Sequence, residues 1–199
     1  MSACSRVVWG GVLVAAAAVG VAGWSVVRHG VSVRDEPTAI EVVLARWMRH
    51  LAIPRRARET KNPVPATPEV LAEAREHFAD HCASCHGNDG RGRTEMGRNL
   101  YPKAPDMTLA ETQRLSDGEI FFIVENGIRL TGMPAWGEGT AHSTLESWGL
   151  VHFIRHLPEL APEELEAMKE MNPRSKHELD EEQAERGFLE GSAPPPHAH

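Results

Sequence analysis

Five residues, Cys82-Ala83-Ser84-Cys85-His86, constrain this chain more than any other stretch. Two thiols three positions apart can bond the two vinyl groups of one porphyrin, and an imidazole beside the second thiol can ligate its iron. That is the pattern of covalent haem c attachment, one haem per motif. The same thiol spacing also serves redox dithiols and half of a zinc site, so both alternatives stand at this point. The chain has three cysteines in 199 residues. The third, Cys4, precedes the first apolar run, so there is no disulfide framework to read. Cys4 is expected to be a free thiol on the cytosolic side.

Charge divides the chain. Residues 1–61 carry nine Lys/Arg and four Asp/Glu, a net +5, whereas residues 62–199 carry twelve and twenty-four, a net −12. An acidic body argues against nucleic acid as a partner and allows steering toward a basic protein. Val7 to Val27 is an uncharged run of twenty-one residues. As a helix it spans ~31 Å, close to the ~30 Å hydrocarbon thickness of a bilayer. Trp9 and Trp24 stand near its ends, where indoles favour the interface. The run is longer than the apolar segment of a cleaved signal peptide, so residues 1–30 are expected to be an uncleaved inner-membrane anchor. Arg6 on one side and Arg28 with His29 on the other do not orient it.

Residues 31–66 are expected to hold a basic amphipathic juxtamembrane helix and a proline-rich linker. Ile40, Val43, Leu44, Trp47, Met48 and Leu51 recur at helical spacing, with Arg46, Arg49 and His50 on the other face. Such a stripe suits either an anionic membrane surface or packing on the following domain or an oligomeric mate. Pro54, Pro63, Pro65 and Pro68 preclude a continuous helix and predict a stiff, extended tether.

The main domain is expected over residues 67–158. Thr67-Pro68-Glu69 is a helix start, with a capping hydroxyl, proline at the first helical position and an early acid. Val70, Leu71, Ala74, Phe78 and Cys82 then share a helix face that delivers the cysteine pair. With these residues in view, Ala74-x3-Phe78-x3-Cys82-x2-Cys85-His86-Gly87 resembles the opening of a class I c-type cytochrome, the monohaem domain of membrane-anchored bacterial types. In that family a small residue, often Gly, stands eight positions before the first Cys, and an aromatic stands four before it; here Ala74 takes the first place. The resemblance implies an all-α cytochrome c fold, a small helical domain wrapped around one covalent haem c, behind an N-terminal transmembrane helix. It also implies Cys82 and Cys85 as the haem-bonding thiols and His86 as the proximal iron ligand.

The second half of the resemblance asks for a distal methionine and a closing helix. Gly132-Met133-Pro134-Ala135-Trp136 resembles the family's distal loop, which makes Met133 the sixth ligand. A thioether opposite an imidazole raises the haem potential. Met96 and Met107 are its competitors. Leu145 to Leu157, with Phe153 four residues before Leu157, resembles the last helix, and Pro158 ends it. Ser116-Asp117-Gly118-Glu119 is a capping box opening a helix that Asn126-Gly127 closes. The family also places a proline carbonyl on the proximal histidine N–H; Pro105 is the candidate here, ahead of Pro102. Tyr101, Trp136 and Arg129 are candidate pocket walls or propionate partners, whereas Arg98 is read as solvated surface. His81, His142, His152 and His156 are read as surface histidines rather than ligands.

Residues 159–199 are expected to be an acidic helical and disordered tail, with one charged helix from Pro162, a break at Asn172-Pro173, and a short helix over His177 to Phe188. His197 and His199 at the end could chelate copper, but a mobile histidine tail is preferred. The function implied is a membrane-tethered periplasmic monohaem cytochrome c that carries single electrons between redox protein partners. It is not an enzyme itself: no nucleophile–base pair is readable beside the motif, and iron held from both sides leaves no open position for substrate. The alternatives are an electron-entry subunit of a larger oxidase or dehydrogenase complex, and a haem-based gas or redox sensor. Haem insertion outside the inner membrane places the domain on the periplasmic or outer side.

Overall fold

The computed structural model describes residues 3–30, 32–174 and 176–189, and among them there are helices and loops but no strand. The chain divides into two units, one running to Glu36 and one beginning at Pro37. The first unit holds α1 (Ala3–His29), whose residues 5–29 are long and apolar enough to cross a membrane. Trp9 and Trp24 are both more than half exposed. Arg28 lies over the Trp24 ring at 5.4 Å, a cation–π contact at the end of the span. Cys4 lies within α1, but its side chain is outside the described residues.

The second unit is built on the crossing of α4 (Pro68–His77) and α9 (Ala141–His156). Thr67 caps α4 by accepting the Val70 N–H, with Pro68 at the first position, as the sequence predicts. Ala74 meets Gly149 at the crossing, and the rings of Phe78 and Phe153 touch at 5.1 Å between centroids. Both phenylalanines are about 1 % exposed. The short helix α8 (Asp117–Asn126) packs on α9, where Phe121 stacks flat on Trp148 at 3.9 Å. Ser116 and Glu119 form the predicted capping box at its start, and Gly127, at φ 65°, closes it. Ile120 and Val124 complete the core from this side.

Arg155 fastens these parts together. Its guanidinium donates to the Gln113 carbonyl at 2.7 Å, to the Leu115 carbonyl, and to Asp117 Oδ1 at 2.9 and 3.1 Å. One side chain of α9 thereby satisfies backbone at the end of α7 (Ala110–Gln113) and a carboxylate at the start of α8. Its position on α9 is set by the same helical register that buries Phe153 and Ile154.

Two boundaries differ from the sequence expectation. The core does not stop at residue 158. After a short 3-10 turn (Leu157–Glu159), α10 (Pro162–Met171) buries Met168 completely against the core. Glu164 of α10 accepts from Arg75 of α4 at 3.3 Å and pairs with His156 of α9 at 2.9 Å. A charged helix with few apolar residues is recruited because Met168 and the partly buried Met171 pack on the core and Glu164 finds partners on α4 and α9. Beyond the break at Asn172-Pro173, α11 (Lys176–Leu189) forms the second tail helix. The side chains of His177, Leu179 and Phe188, and the terminal Pro194–Pro196, His197 and His199, lie outside the described residues.

The second difference lies before the domain. Residues 54–66 are not a free extended tether but lie against it. Ile53 is buried, Arg58's carbonyl accepts the Ser116 hydroxyl at 2.7 Å, and Asn62 Nδ2 donates to the Trp148 carbonyl at 2.9 Å. His152 bonds the Val64 carbonyl at 2.7 Å, and Val64 packs on the core. The prolines do break the helix, leaving only the short α3 (Arg55–Glu59). They also leave extended backbone whose carbonyls seek donors, and side chains of the domain supply them. His152 is therefore half-buried and structural rather than a surface histidine, and His156 likewise.

Between the units' boundary and α3 stands α2 (Ala39–Ala52), capped by a Thr38/Glu41 box. Its polar face turns to the domain: Tyr101 donates to Glu41 at 3.1 Å, Arg46 pairs with Glu111 at 3.5 Å, and His50 stands 3.7 Å from Glu119. The apolar stripe does not pack on the domain, as one reading of the sequence allowed. All six of its residues are at least half exposed.

Candidate haem site

The proximal side is built where α4 runs out. Its continuation, Phe78–Cys82, widens into a π-helical turn before α5 (Ala83–His86), a local change of pitch often found at functional sites. The turn keeps Phe78 in the core while carrying Cys82, Cys85 and His86 round to one side. Gly87, at φ 73°, then reverses the chain. The motif's backbone is pinned from the following loop. Thr94 Oγ1 donates to the Cys85 carbonyl at 3.0 Å, and the Gly92 N–H donates to the His86 carbonyl at 2.7 Å. Gly97, in α6 (Glu95–Arg98), passes so close that a Cβ there would collide with the Cys85 carbonyl. These contacts fix the motif without using its side chains.

Both thiols are free and half-buried. Burial, and then the neighbouring Cys85, push the Cys82 thiol up to about 12. A redox dithiol needs the opposite shift, toward thiolate at neutral pH, so the environment does not favour that alternative. Among the described residues no group of three or more His, Cys, Asp or Glu could hold a metal ion. Burial lowers the His86 pKa, which keeps its imidazole neutral and able to ligate a metal.

The distal side is the loop between α8 and α9. Met133 sits there at the base of a turn closed by backbone bonds: Ile128 N–H to the Met133 carbonyl at 3.1 Å, Trp136 N–H to Val124 at 3.0 Å and Gly137 N–H to Glu125 at 3.2 Å. The Thr131 hydroxyl accepts the Met133 N–H at 3.1 Å. Gly127 permits the approach, since a Cβ on it would lie 2.7 Å from the Met133 carbonyl oxygen. Met133 is thus delivered on shaped backbone rather than on a helix face.

Both sides open into one cavity of about 100 Å³. His86, Met133 and Pro105 line it, together with an apolar wall that includes Ile120, Val124 and Ile154. Of the competing methionines, Met107 also lines it and is buried, whereas Met96 is 55 % exposed. A flat apolar group ligated from His86 fits this lining. The His86 ring supports the same fit, because Nδ1 is buried and has no hydrogen-bond partner among the described residues. That observation also corrects an expectation: Pro105 lines the same cavity, but its carbonyl is not a hydrogen-bond partner of Nδ1.

Three further expectations are not met by the lining. Arg129 is exposed, Tyr101 spends its hydroxyl on Glu41, and Trp136 turns its ring edge-on to His81 at 5.4 Å; none of them lines the cavity. The position of Tyr101 follows from α2, whose Glu41 takes its hydroxyl. In their place stands Arg49 of α2, half-buried in the cavity wall. Burial and then Arg46 pull its pKa down, while Glu119 opposes them. Helical spacing assigns Arg49 to the polar face of α2 but not to this cavity; the only signal was its register with His50.

Comparison with known proteins matches residues 69–154 to the family described as cytochrome C oxidase, cbb3-type, subunit III. The match opens at α4 and ends inside α9, the two helices whose crossing frames the motif. Residues 69–154 are therefore a class I, monohaem c-type cytochrome domain, and its cofactor is covalently bound haem c. Curated relatives include the cbb3-type cytochrome c oxidase subunit FixP of Rhizobium meliloti (strain 1021), 37 % identical over 73 residues. That alignment covers 36 % of this chain and 23 % of the relative. The subunit FixPc of Rhizobium leguminosarum bv. viciae is 32 % identical over 94 residues, covering 47 % of this chain and 30 % of the relative. The chain thus spans less than a third of the length of these relatives. α2 and Arg49 lie before the matched segment.

Proposed function

We propose that this chain is a membrane-anchored, haem-bearing subunit that passes single electrons to or from a membrane oxidase of the cbb3 kind. The observation that carries the reading is the single cavity into which His86 and Met133 open from opposite loops. Covalent haem c supplies a one-electron iron couple. Cys82 and Cys85 would hold it, and the neutral His86 ring would ligate its iron. Met133 offers a soft, uncharged thioether from the opposite loop, which favours the reduced state. The apolar wall would exclude water, and Arg49 would place a cation in the wall of the site. The span in α1 keeps the domain at the membrane, facing the periplasm or the outer side.

A freely working carrier on the same anchor is the second reading, and the short alignment with much longer relatives is what keeps it in play. Gentle solubilisation of membranes followed by native electrophoresis and haem staining separates the two. Co-migration with an oxidase in fixed stoichiometry supports the subunit. A monodisperse chain with a normal haem spectrum and no companion refutes it in favour of the carrier. Absence of the reduced α-band of a c-type haem in the same fraction would sink both.

A further inference from the structure

The least explained surface of the molecule is the outer side of α2. Ile40, Val43, Leu44, Trp47, Met48 and Leu51 are 50–79 % exposed on one face, and with Ala39 four of them wall an open, almost purely apolar groove. The helix cannot hide this stripe by rolling onto the domain, because its other face is committed to Tyr101, Glu111 and Glu119. A helix of this length, capped at its start and tied down along its polar side, holds the stripe outward. A contiguous apolar patch that a fold maintains at its surface marks a contact.

The covalent structure around α2 says what that contact is. Only nine residues, 30–38, separate the last residue of α1 from Ala39. Fully extended they reach at most ~30 Å, so α2 is never far from the end of the membrane span. Arg55 and Arg56, both exposed, follow the stripe directly, Arg55 paired with Glu59 at 2.8 Å. The rest of the domain is strongly acidic and would be repelled by anionic lipid, which leaves this stretch as the side able to approach it. Trp47 stands in the middle of the stripe, and an indole suits the headgroup boundary.

From these features we infer that α2 is an interfacial helix, lying along the surface of an anionic bilayer with its apolar stripe in the headgroup–acyl boundary. Helices of this kind sink their apolar face about 5–10 Å. The opposite face carries Arg49 into the haem cavity, so the same helix seats the domain on the lipid and forms one wall of its redox site.

The test uses the full, haem-loaded chain in vesicles of phosphatidylcholine and phosphatidylglycerol, in a Cys4→Ser background. A nitroxide is placed at Leu44→Cys, on the stripe, or at Ala45→Cys, exposed but off it. Collision with molecular oxygen and with a water-soluble nickel chelate is read by power saturation. Oxygen collisions dominating at position 44 and nickel collisions dominating at position 45 are the expected pair. Nickel collisions dominating at both positions would show a water-facing stripe and overturn the inference. A label at position 44 that is immobile and shielded from both reagents would overturn it in favour of a second copy of the chain.

Discussion

Gly118→Ala separates a docked N-terminal segment from a free one by the sign of its effect. Gly118 is the second residue of α8, inside a helix, where alanine is better than glycine by about 0.8–1 kcal/mol. If residues 54–60 were free in solvent, the variant would be more stable by roughly that amount. In the structure, a Cβ at Gly118 would collide with the Ala57 carbonyl and lie 2.7 Å from that of Thr60. Both neighbours are backbone, so the segment has to move as a whole. Moving it exposes the buried Ile53, about 1.5–3 kcal/mol, and breaks the Ser116–Arg58 bond, about 0.5–1.5 kcal/mol. Undocking caps the loss, so after the propensity gain the net expectation is a destabilisation of about 1–4 kcal/mol. Guanidinium unfolding of the haem-loaded protein reads the sign, and amide hydrogen exchange reads the protection of residues 54–60. A more stable variant with unchanged exchange in that segment would refute the docking argument.

Further outcomes test the site and its surroundings. Met133→Ala is expected to keep covalent haem but lose the weak sulfur-to-iron charge-transfer band of the oxidised protein, while Met107→Leu keeps it; the reverse pattern would make Met107 the ligand. Arg49→Gln should lower the reduction potential, because a removed cation no longer opposes the oxidised iron. A shift of at least threefold in the one-electron equilibrium, about 28 mV, is expected with an unchanged spectrum. At Glu164, burial raises the carboxyl pKa, but the Ala161 N–H, His156 and Arg75 together outweigh it and the net shift is downward. A lowered folded pKa means stability that is full above the unfolded value of about 4.3 and lost as pH falls through the folded value. Glu164→Gln should therefore be less stable than the parent at neutral pH, and the two should converge as pH drops below about 4 in acid titrations of unfolding.

How much of this was legible in the sequence depends on whether the information is local. The Thr67 and Ser116 caps and the Gly127 stop are encoded within a turn and stand where the pattern puts them, whereas the Phe78–Phe153 crossing follows from the family resemblance. The motif was legible because attachment chemistry restricts residue type so strongly, and the structure brings Met133 into the same cavity as His86. What α2 faces was not legible, since periodicity shows that a helix has two faces but not which one is claimed. The wrapping of residues 54–66 depends on bonds such as Asn62 to Trp148 and His152 to Val64, between positions more than eighty apart, and proline spacing says nothing of them. The same holds for Arg49, whose role depends on the packing of α2 beside the cavity, and for Pro105, whose presence at the ring does not supply its bond geometry.

The docking of residues 54–66 changes how far the redox centre can roam. With the whole stretch 30–66 free, the leash from the membrane span would be 37 residues; with α2 and α3 seated on the domain it is nine. The root-mean-square length of a flexible chain grows as the square root of residue number, so it falls from about 33 Å to about 17 Å. The volume searched shrinks by the three-halves power of the ratio, about eightfold. A partner fixed in the same membrane therefore meets this haem at an effective concentration about eightfold higher, while a carrier diffusing in the bulk gains nothing from it.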